Sequence, residues 1–117
     1  MAKTIKGLTI EIDGNTTKLS KALDDVNKES KNISSELSQV NKLLKFSPDD
    51  TVLLEQKQQL LAKAVENTKK KLETLEKAQE SVNKQFKNGD IGEEEYRAFQ
   101  REIVETKSKL DTFSNQL

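Results

Sequence analysis

The chain has 117 residues, of which 34% are charged and only 32% are hydrophobic. So few apolar residues favour an elongated bundle of solvated helices over a compact globule. Lysine plus arginine and aspartate plus glutamate both number 20, and there is no cysteine or histidine. A balanced charge argues against nucleic-acid and acidic-membrane partners, and the lack of cysteine excludes disulfides, thiolate nucleophiles and zinc-thiolate sites.

The amino-terminal region carries a period of two residues. Leu8, Ile10 and Ile12 alternate with Thr9 and Glu11, which is typical of a half-buried strand. The region lacks the apolar run of a signal peptide, and no stretch of about 18 apolar residues exists to span a bilayer. We therefore expect an intracellular chain that begins with a short strand and has no membrane contact.

The pair Asp13 and Gly14 ends the predicted strand. An Asp-Gly pair can also turn a hairpin, but the residues that follow have helical spacing and no second alternating run. We therefore predict that the strand leads straight into a helix and has no mate in this chain. It either pairs in trans with another subunit through Leu8, Ile10 and Ile12, or it forms a disordered tail or lies on its own bundle.

Three stretches then place apolar residues at an alternating spacing of three and four, which is typical of helices packed on helices. They predict helices over about residues 17–46, 48–87 and 93–116. Thr16 or Thr17 can cap the first, Ser47 with Pro48 starts the second, and Gly89 ends it. The short connections predict an elongated antiparallel three-helix bundle or coiled coil, mainly α-helical, behind the amino-terminal strand.

The predicted helices differ in length, at roughly 45, 60 and 38 Å. Three helices can overlap only near residues 62–77, so each end of the bundle leaves one side of the seam uncovered. We expect the exposed seam ends to bind protein partners and to favour a homo-oligomer. The predicted interaction residues are Leu8, Ile10, Ile12, Leu19, Leu23, Phe113 and Leu117.

Catalytic and metal sites are not expected. Acidic and basic residues alternate at four-residue spacing along solvated helix faces, as in Glu66 with Lys70, whereas acid-base catalysis needs burial in a cleft. Glu93, Glu94 and Glu95 fit the positive end of a helix dipole better than a calcium loop. The sequence predicts neither an enzyme nor a cofactor or metal site.

The order of these elements resembles the amino-terminal region of tape measure proteins from long-tailed bacteriophages and prophages of Gram-positive bacteria. Three segments carry the resemblance, namely IKGLTIEIDGNTTKLSKALDDVNK, VNKLLKFSPDDTVLLEQKQQLLAKAVENTKKKLETLEKA and FKNGDIGEEEYRAFQREIVETKSKL. The resemblance implies a structural virion protein that determines tail length during tail assembly. Its partners would be tail tube or tail tip components and sister copies, in the host cytoplasm and then in the virion tail.

This interpretation gives a strand and turn over residues 1–14 and a helical region over residues 15–117, as part of a longer chain, because a tape measure protein is many times longer. Two alternatives remain. One is a stand-alone helical adaptor or secreted helical-hairpin protein. The other is an accessory domain of a cell-wall hydrolase.

Overall fold

The computed structural model describes residues 5, 7–12 and 14–117. Its elements in chain order are β1 (Thr9–Ile12), β2 (Asn15–Lys18), α1 (Leu19–Ala22), α2 (Asp24–Phe46), α3 (Thr51–Lys87) and α4 (Glu93–Gln116). The molecule measures 56 × 29 × 20 Å. The predicted fold class, an elongated and mainly α-helical bundle with antiparallel packing and a short amino-terminal strand, is confirmed.

Helix α3 is the central element of the bundle. Helices α2 and α4 each pack along α3 but make at most marginal contact with each other, and β1 also packs on α3. Helix α3 starts at Thr51, later than predicted, because the Asp50 carboxylate caps it by accepting from the Leu53 N–H at 3.0 Å. Ser47 instead ends α2, and its N–H donates to the Leu43 carbonyl at 3.0 Å.

The prediction of a strand without a mate in this chain is wrong. Strand β1 pairs antiparallel with β2, in a register that joins Thr9 to Lys18 and Ile12 to Asn15. The connection has two residues, and Gly14 takes a φ of 81°. Residues with a side chain rarely adopt this conformation, whereas glycine does so readily. Residues 15–18 pair through their backbone while remaining mostly exposed, so they carry no apolar alternation. Thr16 and Thr17 therefore lie in β2 and do not cap a helix.

A side chain of α3 covers part of the open edge of β1. The Thr9 N–H donates to Gln85 Oε1 at 3.4 Å, and Gln85 Nε2 donates to the Thr9 carbonyl at 2.7 Å. The Ser81 hydroxyl also donates to that carbonyl, at 3.4 Å. The primary amide of Gln85 thus offers Thr9 the donor and acceptor that a third strand would provide, which fixes the hairpin on α3.

Two separate apolar clusters form the core. The proximal cluster lies where the hairpin and α1 meet the carboxyl-terminal half of α3 and the start of α4. Its buried members are Leu8, Ile10, Leu19, Leu23, Leu75, Ala78, Val82, Ile91 and Phe99. The distal cluster joins α2 to the first half of α3, and its buried members are Ile33, Leu37, Val40, Leu60, Leu61 and Ala64.

A polar layer separates the two clusters along α3. Asn67, Thr68 and Thr106 are buried there. Asn67 Nδ2 donates to the Val26 carbonyl at 2.9 Å and to Ser30 Oγ at 3.1 Å. A buried amide that must find these two acceptors on α2 fixes the register of α2 against α3.

The hairpin also changes where several predicted interaction residues lie. Leu19 and Leu23, expected at an exposed seam end, are fully buried, because the hairpin and α1 fold over that end of the bundle. Leu8 and Ile10, expected to face another subunit, are buried in the same cluster. The side chain of Ile12 lies outside the described residues.

Removing the amide of Gln85 should loosen the hairpin from α3. We expect Gln85→Leu to lower the free energy of unfolding by about 1 kcal/mol, because the Thr9 N–H loses its side-chain partner and the Thr9 carbonyl keeps only the longer bond from Ser81. Gln79→Leu, at an exposed position of the same helix, should stay within about 0.5 kcal/mol. Urea denaturation followed by circular dichroism measures both, and equal losses would contradict this role of Gln85.

Candidate protein-interaction site

The end of the molecule where a turn joins α2 to α3 has no fully buried side chains. We call residues 41–59, on both sides of the turn, the distal tip. Within it only Leu44, Leu53 and Lys57 are half-buried, and every other residue is exposed. The core therefore stops at Val40 and Leu60, before the two helices end.

Large apolar side chains nevertheless occupy the distal tip. Leu43 and Phe46 in the last turn of α2 are 54% and 86% exposed, and Val52 and Leu54 in the first turn of α3 are 61% and 43% exposed. Leu44 and Leu53 take the inner face and pack against the distal cluster. With no third helix over this end, the remaining apolar side chains face solvent.

The turn that carries these side chains is held by hydrogen bonds. Besides the Asp50 cap on α3, the Asp50 N–H donates to the Ser47 carbonyl at 3.2 Å, and the Leu54 N–H donates to the Asp50 carbonyl at 3.0 Å. Two helix ends joined by such a connection keep their side chains in fixed relative positions. The distal tip thus presents its apolar groups on a preorganised surface.

Helix α4 ends on the same side of the molecule. Phe113 is half-buried and packs against the distal cluster, while Leu117 is 53% exposed. Of the seven large hydrophobic residues exposed in the described structure, five are at the distal tip or at Leu117. The other two, Phe86 and Val104, lie elsewhere on the helices. A concentration of exposed apolar groups marks a protein-interaction surface.

Two of the residues predicted from the sequence to bind partners lie near this surface. Phe113 and Leu117 do lie towards the distal end, and their binding role stays a prediction. Leu43, Phe46 and Val52 were not predicted, because they are not seam positions. Apolar residues outside the seam on both sides of the Ser47–Pro48 turn were the signal that could have identified them.

The described residues offer no obvious alternative chemistry. Among them, no group of three or more Asp, Glu, His or Cys side chains is placed to hold a metal ion. Nor is any described helix long and apolar enough to cross a membrane.

Comparison with known proteins gives one finding. The family model described as preprotein translocase subunit Sec66 matches residues 15–116, from the start of β2 to the end of α4. Neither a search of the curated proteins nor a search of the solved structures found a match.

This finding corrects the functional interpretation drawn from the sequence. The resemblance to bacteriophage tape measure proteins is wrong, because a match over nearly the whole chain leads to a different family. The roles in tail length and tail assembly, the tail tube and tail tip partners and the virion location are withdrawn with it. The adaptor and the hydrolase accessory domain are not supported either. By the extent of this match, the chain belongs to the Sec66 family of preprotein translocase subunits.

Proposed function

We propose that this chain is a non-catalytic subunit of a preprotein translocase and that it binds another translocase component through the distal tip. The match to the Sec66 family supports the translocase as the assembly to which the chain contributes. One structural observation carries the choice of surface, namely the exposed apolar side chains of Leu43, Phe46, Val52 and Leu54. They are held on a capped turn and are not needed by the core.

The energetics of these side chains favour binding. Fully burying an exposed large apolar side chain stabilises a contact by roughly 1.5–3 kcal/mol. The four side chains are 43–86% exposed, so each contributes part of this amount and together they offset some of the entropy lost on association. Phe46 is the most exposed of them, and an aromatic side chain at the centre of an interface often dominates its affinity. It is the natural anchor of the proposed contact.

The surroundings of the distal tip also fit a protein interface. Lys42, Lys45, Asp49 and Glu55 are exposed around the apolar groups. A mixed polar rim around an apolar centre is the usual anatomy of a protein-protein contact. Such a rim keeps the free subunit soluble and orients the partner.

The rest of the fold supports the distal tip and positions it at one end of the molecule. The hairpin and α1 close the proximal end with fully buried leucines, so that end presents no comparable apolar patch among the described residues. Helix α3 runs continuously from one end to the other. The arrangement holds the distal tip away from the closed end and exposes it to one partner.

The double variant Phe46→Ser with Val52→Ser tests the proposed contact. When the chain is expressed in the source organism and affinity-purified, translocase subunits recovered with it can be identified by mass spectrometry. We expect their recovery to fall at least about tenfold in the double variant, because the anchor Phe46 and its neighbour Val52 are removed. Val104→Ser is the matched control, since Val104 is 66% exposed but lies outside the distal tip. It should leave recovery unchanged.

The same variants separate binding from folding. Both altered side chains of the double variant are mostly exposed, so its unfolding free energy should change by no more than about 0.5 kcal/mol per substitution. If the stable double variant recovers translocase subunits as well as the unaltered chain does, the distal tip is not the binding surface. If the unaltered chain recovers none, the translocase assignment itself fails.

A further inference from the structure

A second surface lies on the flank of the bundle. Helices α2 and α4 both pack on α3 but hardly meet, which leaves a groove of about 660 Å³ between them. We call it the lateral groove. Thr68 and Lys71 of α3 line it together with residues of both flanking helices, including Ser34, Glu102 and Thr106.

The lateral groove continues along α2 towards the distal tip. A second hollow of about 460 Å³, lined by residues of α2 alone, shares Ser34 with the first and extends to Lys45. The α2 wall of the two hollows therefore runs from Asp24 to Lys45. At 1.5 Å per residue this wall is about 32 Å long, which matches a helix of about 20 residues.

The base of the groove is already ordered and polar. Thr68 and Thr106 are 5% and 2% exposed, and Thr106 Oγ1 donates to the Glu102 carbonyl at 2.7 Å. Lys71 Nζ lies 3.2 Å from Glu102 Oε1, with both side chains mostly buried, and this ion pair ties α3 to α4. The small side chains of Ser34 and Ser38 on the wall permit close approach of another backbone.

The charges along the groove are not balanced, although the whole chain is neutral. Its lining contains six lysines, Lys28, Lys31, Lys42, Lys45, Lys71 and Lys109, against Asp24, Glu102 and Glu105. Lys28 pairs with Asp24 and Lys71 with Glu102. In the described part of the chain, Lys31, Lys42, Lys45 and Lys109 have no carboxylate within 4.0 Å. These lysines without a carboxylate partner therefore favour binding of an acidic segment in the groove.

We propose that the lateral groove binds an acidic α-helix of a partner protein, which packs as an added helix between α2 and α4. Its length would be about 20 residues, its contacting face would carry small polar side chains, and its carboxylates would lie beside Lys31, Lys42 and Lys45. The observations that carry this inference are the gap between α2 and α4, its polar floor and its excess of lysine. It uses Lys42 and Lys45, which also belong to the polar rim of the distal tip, but it depends neither on the exposed apolar side chains of the tip nor on the translocase assignment.

Two labelled helical peptides of about 20 residues test the lateral groove. Both carry the same alanine and serine face, and their remaining positions are glutamate in one peptide and lysine in the other. Fluorescence anisotropy with the full chain should show that the glutamate peptide binds at least about tenfold more tightly, with an affinity that falls as salt rises. Circular dichroism verifies that each protein variant is folded.

Charge-reversal variants locate the binding. Lys31→Glu with Lys42→Glu and Lys45→Glu should abolish the preference for the glutamate peptide. The matched control, Lys63→Glu with Lys70→Glu and Lys107→Glu, changes the net charge equally outside the groove and should bind at least half as well as the unaltered chain. Equal binding of the two peptides, or equal loss in both variants, would overturn the proposal. The Phe46→Ser and Val52→Ser variant should bind the glutamate peptide normally, which separates binding in the groove from the apolar contact of the distal tip.

Discussion

The length of α3 is the constraint on which the rest of the structure depends. Its 37 residues give a helix about 55 Å long, and the whole molecule extends 56 Å. Helices α2 and α4 have 23 and 24 residues, so neither can cover α3 from end to end. Each end of α3 therefore needs another solution for its apolar face. At the proximal end the hairpin and α1 provide it, while at the distal end the structure provides none.

This difference between the ends connects the packing to the proposed function. Gln85 fastens β1 to α3, and the proximal cluster beneath is fully buried. Asn67 fixes the register of α2, which determines how far the α2–α3 hairpin extends beyond the last buried layer. A closed proximal end, a fixed register and a capped turn together place Phe46 and its neighbours in solvent. The fold can thus bury its own core and still offer an apolar surface to a partner.

Much of the fold could be predicted from the sequence, because the heptad spacing and the turn residues specify helices and antiparallel connections directly. The hairpin could not be predicted from apolar pattern, since residues 15–18 pair through their backbone and expose polar side chains. Only the Asp-Gly pair signalled it. Because β2 was not predicted, Leu19 and Leu23 were expected at an exposed end of the bundle. The family could not be predicted either, because helical repeats with balanced charge occur in many unrelated proteins. The exposed surface at the distal tip could have been predicted, because Phe46 and Val52 are apolar residues outside the seam beside the turn.

Amide hydrogen exchange along α3, measured in the free chain and in the assembled translocase, tests the central claim most directly. In the free chain, amides of residues 60–82 should exchange slowly and those of residues 54–59 quickly, because the core ends at Leu60. On assembly, exchange of residues 54–59 should slow at least about tenfold while residues 60–82 change little. Slow exchange of residues 54–59 in the free chain, or no change there on assembly, would contradict an uncovered tip that binds a translocase partner.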